Sequence, residues 1–252
     1  MKNYNFEDFT VENYKKILEF AKQHYKFYGY EDIPVFNNGV IWRHDIDYSV
    51  NRAYRLSEIE KGYDVKATYF VMLHSEFYNI FEKDIGKLLR GIVRNGGSIG
   101  LHFEPAYYDL TDKDILKMND DIKREKELLE TIIECPITSF SFHNPDVNGD
   151  FTNLEDEIIG GLINVYSKKI RTKFRYCSDS NGYWRFSRLE DFLKEQSGKE
   201  NAKLHILTHP AWWQDTVMTP RERIVRCVEG RAKSVMKNYD SQLEKNNREN
   251  IF

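Results

Sequence analysis

The stretch Val40-Ile41-Trp42-Arg43-His44-Asp45-Ile46-Asp47 places charged and ionisable side chains directly after a short apolar run. A run of this length is typical of a buried strand, so we expect the charged residues at its end. Two carboxylates so close together do not ionise equally without a compensating cation. A metal would supply that cation, with one Asp as ligand and the other as base. Equally open is that Asp47 caps a helix near Ser49 while Asp45 pairs with Arg43.

One pattern recurs along the chain: a short apolar run is followed by polar residues and then by residues with helical periodicity. It predicts further strands at 67–73, 98–101, 137–142, 174–177 and 204–207. Helices are predicted with N-caps at Thr10, Ser49, Thr111 and Thr219. Strands that alternate with helices favour a largely parallel sheet with helices outside it. With no repeat and no Pro/Gly/Ser-rich linker, we expect one domain over residues 1–252.

Histidines mark the ends of the predicted strands. Five of the seven stand where an apolar run stops, namely His44, His74, His102, His143 and His209. In barrels built from parallel strands, catalytic groups come from the carboxyl ends of several strands. His102 and Glu104 would share one face of an extended chain, and imidazole with carboxylate suits zinc. The alternative is that His102 hydrogen-bonds the backbone and that Glu104 is exposed to solvent. We interpret His74 as structural, because Ser75 and Glu76 indicate a helix start.

Aromatic and polar residues late in the chain allow two interpretations each. For Asp179 and Trp184, one interpretation is that they line a substrate cleft, and the other is that they belong to a surface loop. Trp213, in the pair Trp212-Trp213, is interpreted either as an aromatic surface on which a sugar ring stacks or as a residue that fills the hydrophobic end of the barrel.

Composition excludes several classes of protein. With 37 Lys and Arg against 40 Asp and Glu, the net charge of −3 lacks the basic excess of a nucleic-acid binder. The three cysteines form no CxxC pair and suggest neither a disulfide framework nor a thiolate zinc site. No apolar run approaches the roughly 18 residues that a membrane span needs, and the first residues lack a signal-peptide core. We therefore expect a cytoplasmic protein.

The order of the motifs resembles that of the polysaccharide deacetylases, the NodB-homology family or carbohydrate esterase family four. The motifs are Arg43-His44-Asp45-Ile46-Asp47, Ala67-Thr68-Tyr69-Phe70-Val71, Ile99-Gly100-Leu101-His102, Ser141-Phe142-His143-Asn144-Pro145 and Leu207-Thr208-His209. The resemblance covers about residues 38–215 and looks closest to a divergent branch found with bacterial surface-polysaccharide and O-antigen biosynthesis. It implies an irregular (β/α) barrel of about seven parallel strands and metal-dependent removal of acetyl groups from sugars.

Carried over by position, the resemblance implies roles for four residues. Asp45 matches the catalytic base, Asp47 and His102 match metal ligands, and His209 matches the acid that protonates the leaving group. The family's second metal histidine falls at Ala106. The arginine that steadies the catalytic aspartate falls at His143. Two residues, Glu104 and His143, are therefore candidates to complete the metal site.

These expectations combine into one hypothesis and two rivals. The hypothesis is a metal-dependent hydrolase, with zinc as the expected ion, acting on an acetylated sugar, a surface-polysaccharide precursor or a nucleotide sugar. Its expected substrate-binding residues are Asn144, Asp179, Trp184 and Trp213. One rival is an inactive carbohydrate-binding relative, which Ala106 favours. The other is a glycosyltransferase that uses Asp45-Ile46-Asp47 as a D-x-D motif.

Overall fold

A computed structural model describes residues 4–35, 38–147 and 149–251 of the 252-residue chain. The strands are β1 (Phe27–Tyr28), β2 (Gly39–Ile46), β3 (Thr68–Val71), β4 (Ser98–Phe103), β5 (Ser139–Phe142), β6 (Ile158–Ile159), β7 (Leu162–Asn164), β8 (Arg175–Ser180), β9 (Tyr183–Trp184) and β10 (Lys203–Thr208). The helices are α1 (Val11–His24), α2 (Val50–Gly62), α3 (Lys83–Arg94), α4 (Ile115–Ile133), α5 (Lys168–Lys173), α6 (Leu189–Gln196) and α7 (Pro220–Lys245).

The strands form one sheet in the order β6-β7-β5-β4-β3-β2-β10-β8-β9, with β1 beside the first half of β2. Seven strands of this path, from β7 to β8, run parallel. The short strands β6 and β9 pair antiparallel at its two ends. The α/β class and the predicted number of parallel strands are therefore confirmed.

The sheet curls into an incomplete barrel. Tyr166 follows β7 near one end of the strand path, yet its hydroxyl lies 3.3 Å from Arg43 Nη2 on β2, four strands away. Its ring also packs against the Arg43 guanidinium, 4.9 Å from the ring centroid. Contact across so many strands requires strong curvature. The hydrogen-bonded path itself stays open, and apolar residues of α5 and its flanks, Val165, Ile170 and Phe174, pack in the interior.

Side chains alternate between the interior and the helices, as the strand repeat of two requires. On β2, Trp42 and Ile46 pack in the main core beneath the helices, whereas Ile41 belongs to the interior cluster. Arg43 and Asp45 share the face of Ile41. On β4, a Cβ at Gly100 would lie 2.5 Å from the Phe70 ring, so only glycine fits at this crowded interior position.

Three helix starts agree with the predicted caps. Thr10 accepts from Asn13 N, Ser49 accepts from Arg52 N, and Thr219 forms a full capping box with Glu222. The fourth prediction was wrong: the long helix α4 begins at Ile115, four residues after Thr111. Both the amide and the hydroxyl of Thr111 donate to Asp114 Oδ2 at 2.8 Å, so this pair closes a local turn before the helix.

The predicted strand ends also need one correction. The strand β2 continues through Arg43, His44 and Asp45 to Ile46, and all eight of its residues are buried. Charged residues inside a strand were not expected from an apolar pattern. Within the part of the chain that the structure describes, no helix combines the length and apolar character that a membrane crossing needs.

Candidate active site

Asp45 is held by an arginine of its own strand. Arg43 Nε donates to Asp45 Oδ1 at 3.0 Å and Nη2 donates to Oδ2 at 2.6 Å, and both residues are almost fully buried. The two side chains meet because residues i and i+2 of a strand share a face. This two-bond geometry fixes the carboxylate as well as its charge. Of the two sequence interpretations of Asp45, the structure shows the pair with Arg43.

Asp47, His102 and His143 converge on one point. One ligand atom from each lies within 4.8 Å of the others. Asp47 Oδ1 and His102 Nε2 are 3.2 Å apart, although β3 separates their strands in the sheet. The side chains meet because all three residues leave the carboxyl ends of curved parallel strands. They open on a cleft of about 480 Å³ that Asp45 and His209 also line.

Hydrogen bonds orient both imidazoles. His102 Nδ1 lies 2.7 Å from Ser141 Oγ, and His143 Nδ1 lies 3.0 Å from Glu104 Oε1. Histidines that bind metal commonly bond their second ring nitrogen to a carboxylate or another polar group in this way. Glu104, a candidate ligand from sequence, is not in the three-residue cluster and instead holds His143.

The three residues fit a divalent metal. Asp47 Oδ1 is buried and has no hydrogen-bond partner of good geometry among the described residues, so this oxygen is available to a cation. Two imidazoles and a carboxylate are a common ligand set for zinc and for iron(II). Ligands of one zinc ion lie at about 2.0–2.2 Å from it, so they cannot be more than about 4.4 Å apart. The ligand atoms of the cluster, all within 4.8 Å of one another, are close to this limit. The Asn144 amide lies 3.2 Å from His143 Nε2, so a metal held by this nitrogen would take the place of that contact.

His209 lies across the site from His102 and is paired with a buried carboxylate. Its Nδ1 hydrogen-bonds Asp179 Oδ1, and its backbone amide donates to Asp179 Oδ2 at 3.0 Å. Thr208 also donates to Asp179 Oδ2, at 2.7 Å. The free Nε2 of His209 faces Asp47 Oδ2 at 3.6 Å. Asp179 therefore positions His209; it lines the same cleft, is 2% exposed, and a direct substrate contact of its side chain stays a prediction.

Burial and neighbouring charges act against each other on these groups. Burial alone would raise the pKa of Asp45, but Arg43, together with His102, lowers it to about 2. Burial alone would lower the pKa of His209, but Asp179, with Asp47, raises it to about 10. Burial, reinforced by the nearby His102, lowers the pKa of His143. At neutral pH the site therefore contains an ionised carboxylate and a protonated imidazole side by side.

Two tryptophans expected at the substrate lie outside the cleft. Trp213 is fully buried and donates its indole N–H to Thr208 Oγ1 at 2.6 Å. Trp184 stacks on Phe9 at 4.7 Å between ring centroids and donates to Asp8 Oδ2 at 3.0 Å. The fully buried indole of Trp213 offers no surface to a sugar, whereas Trp184 is half-buried. Trp213 is therefore corrected to a packing role, and a substrate contact of Trp184 stays a prediction.

Not every histidine at a predicted strand end reaches the site. His44 faces the helices, and its Nε2 lies 2.6 Å from the buried Glu60 Oε1 of α2. His74 lies 3.0 Å from Glu125 Oε1 of α4. Sequence reasoning interpreted His74 as structural, but it could not show that His44 occupies the face of its strand away from the site.

Comparisons with known proteins add likenesses in structure only. Neither a protein-family model nor a curated protein sequence matches the chain. A CE4 family pseudoenzyme from Bacillus anthracis is 14% identical at a TM-score of 0.41, over 76% of this chain and 60% of the other. The chain thus spans about three fifths of that protein's length.

Two further solved structures are aligned over most of both chains. A family 4 carbohydrate esterase from Bacillus anthracis is 13% identical at a TM-score of 0.42, covering 88% of this chain and 86% of the other. A Streptococcus pyogenes deacetylase in complex with acetate is 15% identical at a TM-score of 0.39, covering 85% of each chain. Likenesses at this level assign no residue role, so the candidate site rests on the side-chain geometry of this chain.

Proposed function

We propose that the protein is a metal-dependent hydrolase that removes acetyl groups from a sugar or a surface-polysaccharide precursor. The observation that supports this most directly is the meeting of three groups in one cleft. The first is the Asp47–His102–His143 cluster, the second is Asp45 paired with Arg43, and the third is His209 paired with Asp179. These groups supply a metal site, a base and an acid, which hydrolysis of an amide or ester requires together.

Asp47, His102 and His143 would hold the ion, with zinc as the expected metal. When bound, it would polarise the acetyl carbonyl and lower the pKa of an attacking water. Asp45 is ionised and accepts the proton that the water loses. His209 carries a proton at neutral pH and donates it from Nε2 to the departing amine or alcohol.

The two departures from the family pattern compensate for one another. The resemblance expects a histidine at position 106 and an arginine at position 143. Here His143 joins the ligand cluster, while Arg43 forms the contact with Asp45. The site therefore retains the same types of group, although they come from different strands.

The rival functions make different predictions. An inactive carbohydrate-binding relative, favoured by Ala106, would bind sugar without hydrolysis. A glycosyltransferase would hold its metal-bound nucleotide sugar with both Asp45 and Asp47, whereas the group of residues that could hold a metal here is Asp47, His102 and His143. This observation favours the hydrolase over the transferase.

The test is acetate release from N-acetylglucosamine trimer and from a peracetylated monosaccharide. Metal-stripped protein should be inactive and zinc should restore release. Asp45→Asn should lower the rate by about 10² to 10⁴-fold, the usual contribution of a general base, while binding zinc as the wild type does. Wild-type protein that binds zinc and trimer but releases no acetate from either compound would establish the binding relative instead.

A further inference from the structure

A second groove leads away from the ligand cluster on the side of β3 and β4. Its volume is about 790 Å³, and its walls include Asp47, His143 and His209 of the site together with Ala106, Tyr107 and His74. Ala106 is exposed and lies in the short 3₁₀ helix that follows β4. A methyl group at this position leaves the groove open between the ligand cluster and Tyr107.

Tyr107 presents one aromatic face to this groove. Its ring is stacked on the His74 imidazole, with centroids 3.5 Å apart and planes inclined by 9°. The side of the ring away from His74 is open, since Tyr107 is 57% exposed. An exposed aromatic ring that is supported from behind and lines a groove differs from the fully buried indole of Trp213.

The imidazole beneath Tyr107 is itself held in place. His74 Nε2 lies 3.0 Å from Glu125 Oε1, and the Tyr108 hydroxyl donates to the same oxygen at 2.7 Å. Glu125 belongs to α4 and is 1% exposed. A carboxylate buried this deeply needs such partners, and in return it fixes the imidazole. The imidazole is therefore a fixed support for the Tyr107 ring that is stacked on it.

We propose that Tyr107 and His74 form a carbohydrate subsite beside the reacting group. This inference rests on the proposed function for the class of ligand. The apolar face of a pyranose ring lies on the open face of Tyr107, His74 supports the Tyr107 ring from behind, and Ala106 provides the passage from the ligand cluster. The subsite binds a sugar unit next to the acetylated one, so it favours oligomers over single sugars.

The test measures binding rather than turnover. Affinity for N-acetylglucosamine and its trimer is determined by calorimetry on zinc-loaded Asp45→Asn protein, which does not consume the ligand. Adding Tyr107→Ala should weaken trimer binding by about 3- to 10-fold, the range that aromatic stacking supports. Tyr107→Phe should stay within about twofold, because it keeps the aromatic face. His74→Gln should weaken trimer binding as well, with zinc affinity unchanged in all three.

Phe81→Ala is the matched control, because Phe81 is a 68% exposed aromatic that does not line the groove. It should leave trimer affinity unchanged. Equal trimer affinity in Tyr107→Ala and the parent, or no trimer binding at all, would overturn the subsite. Failure of the proposed function has a separate signature: weakened binding in Tyr107→Ala together with no acetate release from the wild type would retain the subsite and reject the hydrolase.

Discussion

At the residue scale, the buried pair of Arg43 and Asp45 ties the stability of the fold to the geometry of the candidate site. A charge taken out of water is tolerated only when it is paired and hydrogen-bonded. The Arg43 guanidinium also packs against the rings of Phe70 and Tyr166, at 5.2 and 4.9 Å. We therefore expect the two side chains to act as one unit in stability as well as in orientation.

A double-mutant cycle tests this pairing. Arg43→Met should lower the free energy of unfolding by about 3–5 kcal/mol, because it leaves the Asp45 carboxylate buried without its cation. Combining Arg43→Met with Asp45→Asn removes the unpaired carboxylate. The double variant should therefore be more stable than the sum of the two single losses predicts. Urea denaturation of the four proteins measures the coupling. Losses that simply add would show that the pair is not a unit.

Another buried residue of the interior, His205, gives a pH dependence of stability. Burial, with Arg43 nearby, lowers the pKa of His205 to about 3, and Tyr30 hydrogen-bonds its Nε2 at 2.7 Å. In the unfolded chain the pKa is about 6.5, so below that pH the unfolded state takes up a proton that the folded state refuses. Stability is therefore lost as pH falls from about 6.5 toward 3.

Replacement by a side chain that does not titrate should remove this loss. His205→Gln can still accept a hydrogen bond from Tyr30 but does not titrate. Between pH 7 and pH 4.5 we expect its free energy of unfolding to fall by about 2–3 kcal/mol less than that of the wild type. Chemical denaturation at the two pH values gives the difference. The control is His24→Gln, since His24 is an exposed histidine of α1. An equal acid loss in wild type and His205→Gln would rule out this assignment.

At the scale of elements, the segment after β4 determines both the ligands and the groove. Ala106→His would place an imidazole on the groove wall that Asp47 and His143 share. We expect it to tighten zinc binding by adding a ligand and to weaken trimer binding by filling the passage to Tyr107. Calorimetry with each ligand measures both effects.

Ala106→Leu separates the two effects, because it fills the groove without offering a ligand atom. It should weaken trimer binding and leave zinc affinity as it is. Unchanged zinc affinity in Ala106→His would mean that position 106 does not face the ligand cluster.

Elements also show how far local sequence determines structure. The helix starts at Thr10, Ser49 and Thr219 follow from hydrogen bonds within four residues, so the sequence predicts them well. The extent of β2 was underestimated, because the charges of Arg43 and Asp45 neutralise one another only in the fold. An apolar pattern does not reveal a buried ion pair.

At the scale of the whole molecule, curvature of the sheet creates the candidate site. Asp47 and His143 are 96 positions apart, and they meet because β2 and β5 curve toward one another with β3 and β4 between them. Family position predicted Asp47 and His102 as ligands, but left Glu104 and His143 open. His143 lies in the cluster and Glu104 hydrogen-bonds His143 from outside it. This difference depends on how β4 and β5 are oriented where they end. Such contacts between distant segments are not encoded in spacing.

The central claim is that the third metal ligand comes from the end of β5. Its most direct test is a zinc titration of metal-stripped protein by calorimetry, comparing the wild type with His143→Ala and with the exposed-surface control His24→Ala. We predict one zinc per chain, unchanged affinity in His24→Ala, and affinity at least about 10- to 100-fold weaker in His143→Ala, the loss that even a residue supporting a ligand produces. Wild-type protein that binds no zinc, or His143→Ala that binds it as the wild type does, would contradict the account.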